Sequence, residues 1–369
     1  MRLIFVANSP SPNTVELYNA LHRRHDTEVS VAYLSRRNAK WQDPSFPTDH
    51  DILESRNLSP FPSRVNTAFC PGLLLRLLFK ERRARIIIQG YSNPTNFLLI
   101  LAMSFLRPGA DWAFWGERIK KSPKSHPIRF LVKRAVISAI SRSRRVYAVG
   151  QAGVKSYAEH GVPERLLRSL PYTKDFSVYQ SPETTHDNEV IVTTARLVPS
   201  KKIDQLVRVF SDLADAYPDW RLNIIGDGAM RPELENGIKE NLRGRITFHG
   251  YAGPEKQSEI YAGADLFVLP SMHDGWGMVV PEAMAAGLPV ITTDGVMAGR
   301  DLVRSGENGF LLPPGQSDPL KAILLRVMRG DLNLKKMGAT ALDSVSAYYP
   351  EHVSEDLVAD ISTGWRGRE

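Results

Sequence analysis

One segment of the sequence has the residue types that bind a phosphorylated ligand. It runs from Ala264 to Asp294, and in it a strand-like apolar run leads into a loop that contains Gly275 and Gly277. Glycines let a backbone approach a ligand closely, and the free N–H groups at the start of a following short helix, near Val280, favour an anion. This segment is therefore a candidate diphosphate site.

Two carboxylates frame this loop, because Asp274 precedes it and Glu282 follows on the first turn of the helix, with seven residues between them. Carboxylates repel phosphates, so the useful partners would be hydroxyl groups of a ribose and of a sugar. In the alternative interpretation, Asp274 is a turn residue and Glu282 is a favourable charge at a helix N-terminus. Taken alone, the pair favours this alternative.

The segment resembles the signature of family-4 retaining glycosyltransferases. In that signature a Gly-rich loop lies between two Glu residues and is followed by an Ala-Met-Ala-Ala-Gly-x-Pro-Val run. Glu282 and residues 283–290 match it, and Asp274 stands where the family has its first Glu. The replacement keeps the charge and shortens the reach toward a donor sugar by one methylene group.

Further segments match the same family in order through residues 190–315. Arg196 and Lys201 lie in the segment that resembles the family's diphosphate clamp, where Arg supplies a planar fork and Lys a compact charge against the leaving group. By this resemblance the catalytic residues are Arg196, Lys201, Asp274 and Glu282. The donor-binding residues it implies are Gly226, Gly228, His249, Gly250, Tyr251, Gly275, Trp276, Gly277, Met278 and Val279.

The resemblance implies an α/β protein of the GT-B fold, in which two Rossmann-like doubly wound domains face a central cleft. It also implies retaining transfer of a hexose-type sugar from a nucleoside-diphosphate sugar, with UDP ahead of GDP. No cofactor or metal is expected, since the nine histidines show no metal-ligand spacing. Two alternatives stay open: a glycosyltransferase-like protein that binds without transfer, and a nucleotide-sugar epimerase on the same architecture.

The N-terminal half matches the family only in its alternation of strands and helices. Many members have a Gly-Gly loop where this chain has residues 8–14, and a His after a central strand, where this chain has residues 114–118. Glu117 would bind a donor or acceptor hydroxyl group, or else pair with Arg118 or Lys120. The candidate acceptor residues are Asn8, Ser9, Ser11 and Glu117.

The two halves of the chain differ in charge. Residues 1–180 carry 28 Lys and Arg against 13 Asp and Glu, whereas residues 181–369 carry 19 against 27. The basic clusters have no aromatic interleaving and no nucleic-acid fold signature, so nucleic acid is not expected. An anionic membrane surface ranks first among the remaining partners, since each basic residue near such a surface contributes ~1 kcal/mol. A phosphorylated substrate and plain solvated surface charge are the alternatives.

The apolar run at residues 71–79, together with these clusters, suggests an acceptor on a polyprenyl diphosphate, as an alternative to a free glycan. That would place the protein in the synthesis of a bacterial surface polysaccharide such as lipopolysaccharide. Cys70 is the single cysteine and the N-terminus has no signal-peptide pattern, which predicts a cytoplasmic protein, peripheral on the inner membrane face. The longest apolar stretch, residues 96–106, is about half of the ~20 residues that a membrane span needs and predicts a buried helix.

The elements that must position these residues follow from the length and from the strand–helix alternation. A chain of 369 residues exceeds what one core supports. We expect domains at 1–172 and 189–349, a linker at 173–188, and a C-terminal helix near 350–369 that packs on the first domain. Strands are predicted near 2–7, 28–34, 86–90, 111–115, 145–149 and 166–170, and then near 189–195, 220–226, 245–249, 265–270, 288–293 and 309–312. Residues 36–70 are predicted to be an irregular insertion.

Overall fold

The computed structural model describes residues 1–35, 48–60, 65–119, 127–180 and 188–365. The chain forms two compact units. The first unit consists of residues 1–174 and 348–369, and the second of residues 175–347. In the described ranges no helix is both long enough and apolar enough to cross a bilayer.

The first unit is built on a parallel sheet of seven strands. In chain order these are β1 (Arg2–Ala7), β2 (Glu28–Tyr33), β3 (Asp51–Ile52), β4 (Arg85–Gln89), β5 (Trp112–Gly116), β6 (Arg145–Ala148) and β7 (Leu167–Ser169). Their order across the sheet is β3-β2-β1-β4-β5-β6-β7. The chain changes direction across the sheet between β1 and β4, and the carboxyl ends at such a switch point are where doubly wound sheets bind ligands.

Helices cover both faces of this sheet. They are α1 (Pro12–His22), α2 (Pro71–Leu75), α3 (Pro94–Phe105), α4 (Pro127–Ile140), α5 (Gly150–Glu159) and, from the end of the chain, α13 (Pro350–Gly364). A π-helical turn, Arg76–Lys80, continues α2. Helices α2 to α5 share one core with alternate strand residues such as Ile86 and Phe114. On the other face α1 packs with Tyr18 against Phe5, their ring centroids 4.6 Å apart, and α13 packs on α1.

Helix α3 contains the apolar stretch that was predicted to be buried, and that prediction is right for only one of its faces. Leu99 and Met103 are buried, but Leu98, Phe105 and Leu106 are 42%, 56% and 74% exposed. The stretch is apolar all round, whereas a helix in a layer over a sheet buries only the face toward the sheet. An apolar helix face is therefore left in contact with solvent.

The predicted irregular insertion at 36–70 lies partly outside the described residues, and its described part holds a buried histidine. His50 Nδ1 lies 2.6 Å from Asn19 Oδ1, which also accepts the backbone N–H of Asp49, and Tyr33 Oη lies 2.8 Å from His50 Nε2. Because Asn19 Oδ1 is an acceptor, Nδ1 carries the proton, and the Tyr33 hydroxyl donates to Nε2 of the neutral ring. Burial, with a smaller contribution from His22, lowers the pKa of His50 to about 4.

We expect the first unit to lose stability as the pH falls from about 6.5 toward 4. In the unfolded chain His50 binds a proton below about pH 6.5. In the folded chain it binds a proton only below about pH 4, so acid favours the unfolded state. Between pH 7 and pH 5 the loss is about 2 kcal/mol. Urea denaturation at the two pH values measures it, and His50→Gln should remove most of the difference. His25→Gln, at an exposed histidine, is the control, and an equal pH response in both variants would contradict the assignment.

Helix α13 is fixed to the sheet of the first unit by one carboxylate. Asp360 accepts hydrogen bonds from Arg145 Nε at 3.1 Å and from Tyr147 Oη at 2.8 Å, and Arg168 Nε lies 3.3 Å from it. The side chains of Arg145 and Asp360 are only 12% and 18% exposed. Removing one partner of such a buried ion pair costs about 3–5 kcal/mol, so this contact holds the end of the chain firmly on the first unit.

The second unit contains a parallel sheet of six strands, ordered β10-β9-β8-β11-β12-β13. The strands are β8 (Val190–Thr194), β9 (Arg221–Ile225), β10 (Ile246–Gly250), β11 (Leu266–Leu269), β12 (Val290–Thr293) and β13 (Gly309–Leu312). The helices are α6 (Ile203–Ala214), α7 (Arg231–Asn236), α8 (Pro254–Ala262), α9 (Val279–Ala285), α10 (Met297–Leu302), α11 (Ser317–Met328) and α12 (Leu334–Val345). The switch point of this Rossmann-type order lies between β8 and β11.

The predicted parallel α/β architecture is confirmed, and each predicted strand lies within two residues of an observed one. Strand-like apolar runs separated by helix-length intervals therefore sufficed to find the strands. The edge strand β3 was not predicted. In the segment expected as a linker, a 3-10 turn at Ser177–Tyr179 packs into the second unit, and residues 181–187 lie outside the described residues.

Candidate active site

Two loops of the second unit meet at the switch point of its sheet. The first follows β8, carries Arg196, and then forms a 3-10 turn at Pro199–Lys201 before α6 begins. The second follows β11. Met272 donates its backbone N–H to the Ser200 carbonyl at 2.8 Å, and Ser271 Oγ donates to the same oxygen at 3.2 Å. These bonds hold the candidate cations and the candidate carboxylate loop side by side.

The turn after β9 explains the two predicted glycines at 226 and 228. A Cβ atom on Gly226 would lie 1.9 Å from the Ala195 carbonyl oxygen, and one on Gly228 would lie 2.4 Å from that of Leu197. Only glycine permits this approach, because a backbone atom cannot move aside as a flexible side chain would. The structure thus assigns both glycines the task of seating the Arg196 loop, and their proposed contact with a donor stays a prediction.

Lys201 and Asp274, predicted to act on different parts of a donor, form an ion pair. Their side chains are 12% and 25% exposed. The other carboxylate oxygen of Asp274 accepts the backbone N–H of Trp276 at 3.4 Å, so Asp274 is also the turn residue of the alternative interpretation. A phosphate group that reached Lys201 would therefore compete with Asp274 for the same ammonium group.

The glycine-rich loop after Asp274 is shaped by packing beneath it. Gly277 has a φ of +93°, and a Cβ atom there would lie 2.6 Å from the side chain of Val296. Trp276 is 3% exposed, and its carbonyl accepts the N–H of Ala298 at 2.8 Å. Its indole is packed inside, so Trp276 would contribute to a ligand site through the loop's shape. Of the other predicted donor residues here, Gly275 is exposed, and Met278 and Val279 lie half-buried at the start of α9.

Glu282 lies on the first turn of α9, as predicted, and is 7% exposed. Its Oε2 accepts a hydrogen bond from Gln257 Nε2 at 3.0 Å, and the Tyr179 hydroxyl is a second hydrogen-bond partner. Gln257 also donates to Tyr261 Oη at 2.8 Å. The carboxylate is thus held in one orientation by neutral donors, which leaves its charge available to a ligand.

The residues around Glu282 were not found from the sequence. Tyr261 donates to Thr194 Oγ1 at 2.8 Å, which connects α8 to the carboxyl end of β8. Burial, and next the charge of Glu282, raise the pKa values of both Tyr179 and Tyr261. The one available signal was the i, i+4 spacing of Gln257 and Tyr261 on α8, which is too common to indicate a site.

The predicted base-recognition segment lies at the edge of the sheet. His249 is the penultimate residue of β10, two strands away from β8, and its Nε2 lies 3.1 Å from Asn223 Oδ1. Burial lowers the pKa of His249. Gly250 has a φ of +71° and accepts the N–H of Gly226 at 2.7 Å, while Tyr251 is 88% exposed. Only Gly250 is directly connected to the turns at the switch point.

The predicted acceptor residues lie in the first unit, around a pocket of about 610 Å³ at the carboxyl ends of β1, β4 and β5. Asn8 and Glu117 line it; Ser9 and Ser11 do not. Ser11 instead precedes α1, where its carbonyl accepts the N–H groups of the first turn. Aromatic side chains and two cations complete the wall: Tyr91, Phe114, Trp115, Tyr157, Tyr172, Arg118 and Lys133.

Glu117 has a partner that neither interpretation of the sequence considered. Tyr172 donates its hydroxyl to Glu117 Oε1 at 3.0 Å, and Tyr157 donates to the Glu117 carbonyl at 2.9 Å. Of the two cations weighed before, Arg118 lines the same pocket and Lys120 lies outside the described residues. Burial, and next the charge of Glu117, raise the pKa of Tyr172, so this hydroxyl stays a donor.

The fold and the site define a class of protein. The model of the group 1 glycosyl transferases matches residues 178–343, which contain every catalytic residue predicted above. The match covers just under half of the chain, so residues 178–343 are similar to the group 1 glycosyl transferases, and the two Rossmann-like units have the GT-B fold.

Curated relatives align with parts of the chain. The chain is 26% identical over 321 residues to an exopolysaccharide phosphotransferase of Streptomyces coelicolor, an alignment that covers 86% of this chain and 33% of the relative. It is 30% identical over 182 residues to a D-inositol 3-phosphate glycosyltransferase of Nocardia farcinica, which covers 47% of this chain and 40% of the relative. The chain thus spans less than half of the length of either relative.

Solved structures match over the whole chain. HepE of Anabaena, solved in complex with UDP, has a TM-score of 0.74 at 18% identity, and the match covers 98% of this chain and 100% of that one. The lipopolysaccharide outer core galactosyltransferase WaaB has a TM-score of 0.72 at 17% identity, covering 98% and 99%. At these identities the likeness establishes the fold.

Proposed function

We propose that the protein is a retaining, metal-independent glycosyltransferase that moves a hexose-type sugar from a nucleoside-diphosphate sugar, with UDP as the nucleotide. The observation that carries this proposal is the arrangement at the switch point of the second unit. There Arg196 and Lys201 lie on a loop bonded to the loop of Asp274, and a buried Glu282 follows on α9. UDP is favoured over GDP because HepE was solved with UDP and with UDP-glucose.

In this reaction the bond between the anomeric carbon and the diphosphate oxygen breaks, and a bond from that carbon to an acceptor oxygen forms on the same face. Arg196 and Lys201 neutralise the charge that grows on the departing diphosphate. The departing phosphate takes the proton of the attacking hydroxyl group, so no side chain is needed as a base. Glu282 binds the ribose hydroxyl groups, and Asp274 orients Lys201 and contacts the sugar.

The acceptor side of the proposal rests on the pocket of the first unit. Its aromatic wall fits the C–H faces of a sugar, and Arg118 and Lys133 fit phosphate oxygens. We therefore propose a glycan or a polyprenyl-diphosphate-linked glycan as the acceptor, in bacterial surface polysaccharide synthesis on the cytoplasmic side of an anionic membrane. The names of the exopolysaccharide and lipopolysaccharide relatives support this assignment.

The test is thermal stabilisation by UDP, GDP, ADP and CDP, each with EDTA present. A nucleotide at 100 times its dissociation constant adds about 2.7 kcal/mol to the stability of the unit that binds it. We expect UDP to give the largest shift. Stabilisation by none of the four would reject the donor site, and stabilisation without any release of UDP from UDP-sugars would favour the non-catalytic alternative.

A further inference from the structure

The described residues expose apolar side chains very unevenly. Eight large apolar side chains are more than half exposed, and six of them belong to three neighbouring elements of the first unit, with Leu106 ending α3. We call these six the outer helix face: Leu75, Phe79, Phe105, Leu106, Phe130 and Leu131. A soluble surface normally scatters such residues singly, so their concentration on one helix layer indicates a contact surface.

The parts of the outer helix face on α2 and α3 adjoin one another, and the third part, Phe130 and Leu131, lies at the start of the neighbouring helix α4. Phe79 and Leu106 line one groove of about 490 Å³, together with Arg82 and Arg107. Arg107 holds the groove together, because its Nη1 donates to the Leu77 carbonyl at 3.0 Å. Leu75 lies one helical turn before Phe79, and α3 packs directly against both α2 and α4.

The surroundings of the outer helix face are strongly cationic. Residues 71–111 carry six Lys or Arg and two carboxylates, of which Glu81 is buried and paired with Arg2 and Arg76, and Asp111 is paired with Arg144. Residues 127–145 carry six Lys or Arg and no carboxylate. Two of these cations cover exposed rings: the Arg142 guanidinium carbon lies 4.8 Å from the Phe105 ring centroid, and that of Arg134 lies 6.0 Å from the Phe130 centroid.

We propose that the outer helix face docks the protein on an anionic lipid bilayer, with its apolar side chains inserted at the interface and its cations on the lipid headgroups. The partner is identified by charge complementarity. A second copy of the chain would bring the same cations together, and like charges repel, whereas anionic headgroups neutralise them. This inference extends the proposed function, since it names the surface that would bring the first-unit pocket to a lipid-linked acceptor.

The α4 part of the outer helix face lies beside the acceptor pocket, whereas the groove of Phe79 and Leu106 shares no residue with that pocket. Val132 and Lys133, which follow Leu131 on α4, line the proposed acceptor pocket. Val132 is itself 39% exposed. A lipid-linked acceptor held at the interface by its hydrocarbon chain would therefore meet α4 first, and its phosphorylated head would meet Lys133.

The experiment is flotation of the full chain with vesicles of phosphatidylcholine alone or mixed with phosphatidylglycerol. We expect binding only to the anionic vesicles. Part of it should survive about 1 M salt, where charges are screened beyond about 3 Å but apolar insertion is not. The variant F79S/F105S/L106S should bind at least tenfold less at both salt concentrations. The variant K80Q/R82Q/R83Q should lose roughly fivefold per cation, at low salt only.

The controls separate this inference from its alternatives. L58S changes an equally exposed apolar residue elsewhere in the first unit and should bind vesicles as the wild type does. Unchanged vesicle binding by F79S/F105S/L106S would overturn the proposal. It would also be overturned if the wild type were a dimer and this variant became a monomer that still binds vesicles. UDP affinity without vesicles should be the same in all variants, so a failed donor site and a failed docking surface give different results.

Discussion

Replacing Lys201 by methionine will weaken UDP binding at least tenfold and lower kcat/KM for sugar transfer by about 10²–10³. The methionine side chain keeps most of the volume and removes the charge that, in the proposed site, neutralises the diphosphate. A single preorganised charge of this kind contributes about 2.7–4 kcal/mol to a transition state in which negative charge grows. Isothermal titration with UDP and initial rates with the UDP-sugar measure the two effects.

The ion pair between Lys201 and Asp274 provides a second variant that tests the same role of Lys201. In Asp274→Asn the ammonium group of Lys201 loses its competing carboxylate, so UDP should bind as tightly as before or more tightly, while transfer falls because the sugar contact is changed. Lys202→Met alters the adjacent cation and is the matched control, with little effect expected. Equal damage from Lys202→Met and Lys201→Met would show that general positive charge, not the Lys201 site, binds the diphosphate.

Replacing Glu282 by glutamine will remove the protein's ability to distinguish UDP from its deoxyribose analogues. A charged acceptor to a ribose hydroxyl group contributes about 1.5–3 kcal/mol, which is roughly a tenfold to hundredfold change in affinity. The wild type should therefore bind UDP at least tenfold more tightly than 2′-deoxy-UDP or 3′-deoxy-UDP. In Glu282→Gln, UDP should bind more weakly than it binds the wild type. Its affinity should then be similar to that of the deoxy analogue that the wild type discriminates against.

Glutamine is chosen over alanine because of the neighbours of Glu282. Alanine would leave the donors of Gln257 and Tyr179 without their acceptor in a buried site, and each such loss costs about 1–3 kcal/mol of stability. Glu255→Gln, at an exposed carboxylate on the first turn of α8, is the control for a general change of charge. If the ratio between UDP and its deoxy analogues stays the same in Glu282→Gln, Glu282 does not bind the ribose.

The sequence was most informative where short-range pattern decides structure. Alternating and continuous apolar runs located the strands, and the run from Glu282 through Pro289 located the family. Gly226 and Gly228 were predicted to bind the donor. The structure shows a packing reason for glycine at both positions as well, since a side chain there would collide with the carbonyl groups of Ala195 and Leu197.

Contacts between distant segments could not be predicted from the sequence. The pairing of Lys201 with Asp274 depends on backbone bonds from Ser271 and Met272 to Ser200, about seventy residues apart. The carboxylate of Glu117 could be placed at the end of a strand, but Tyr172 as its partner could not, because 55 residues separate them. A side chain's partner is set by the packed arrangement of whole elements, which local residue types do not encode.

The position of α13 has a consequence for how the chain is made. Synthesis delivers β1 to β7 first, then the whole second unit, and only then the helix that carries Asp360. Until that moment the face of α1 that packs on α13 is uncovered, and the Arg145 guanidinium and the Tyr147 hydroxyl lack their acceptor, Asp360. The second unit, a continuous segment, can finish folding on the ribosome, whereas the first unit stays incomplete until its final residues emerge. A nascent chain halted before residue 350 would thus hold a folded second unit and an incomplete first unit with an exposed apolar face, which chaperones would recognise.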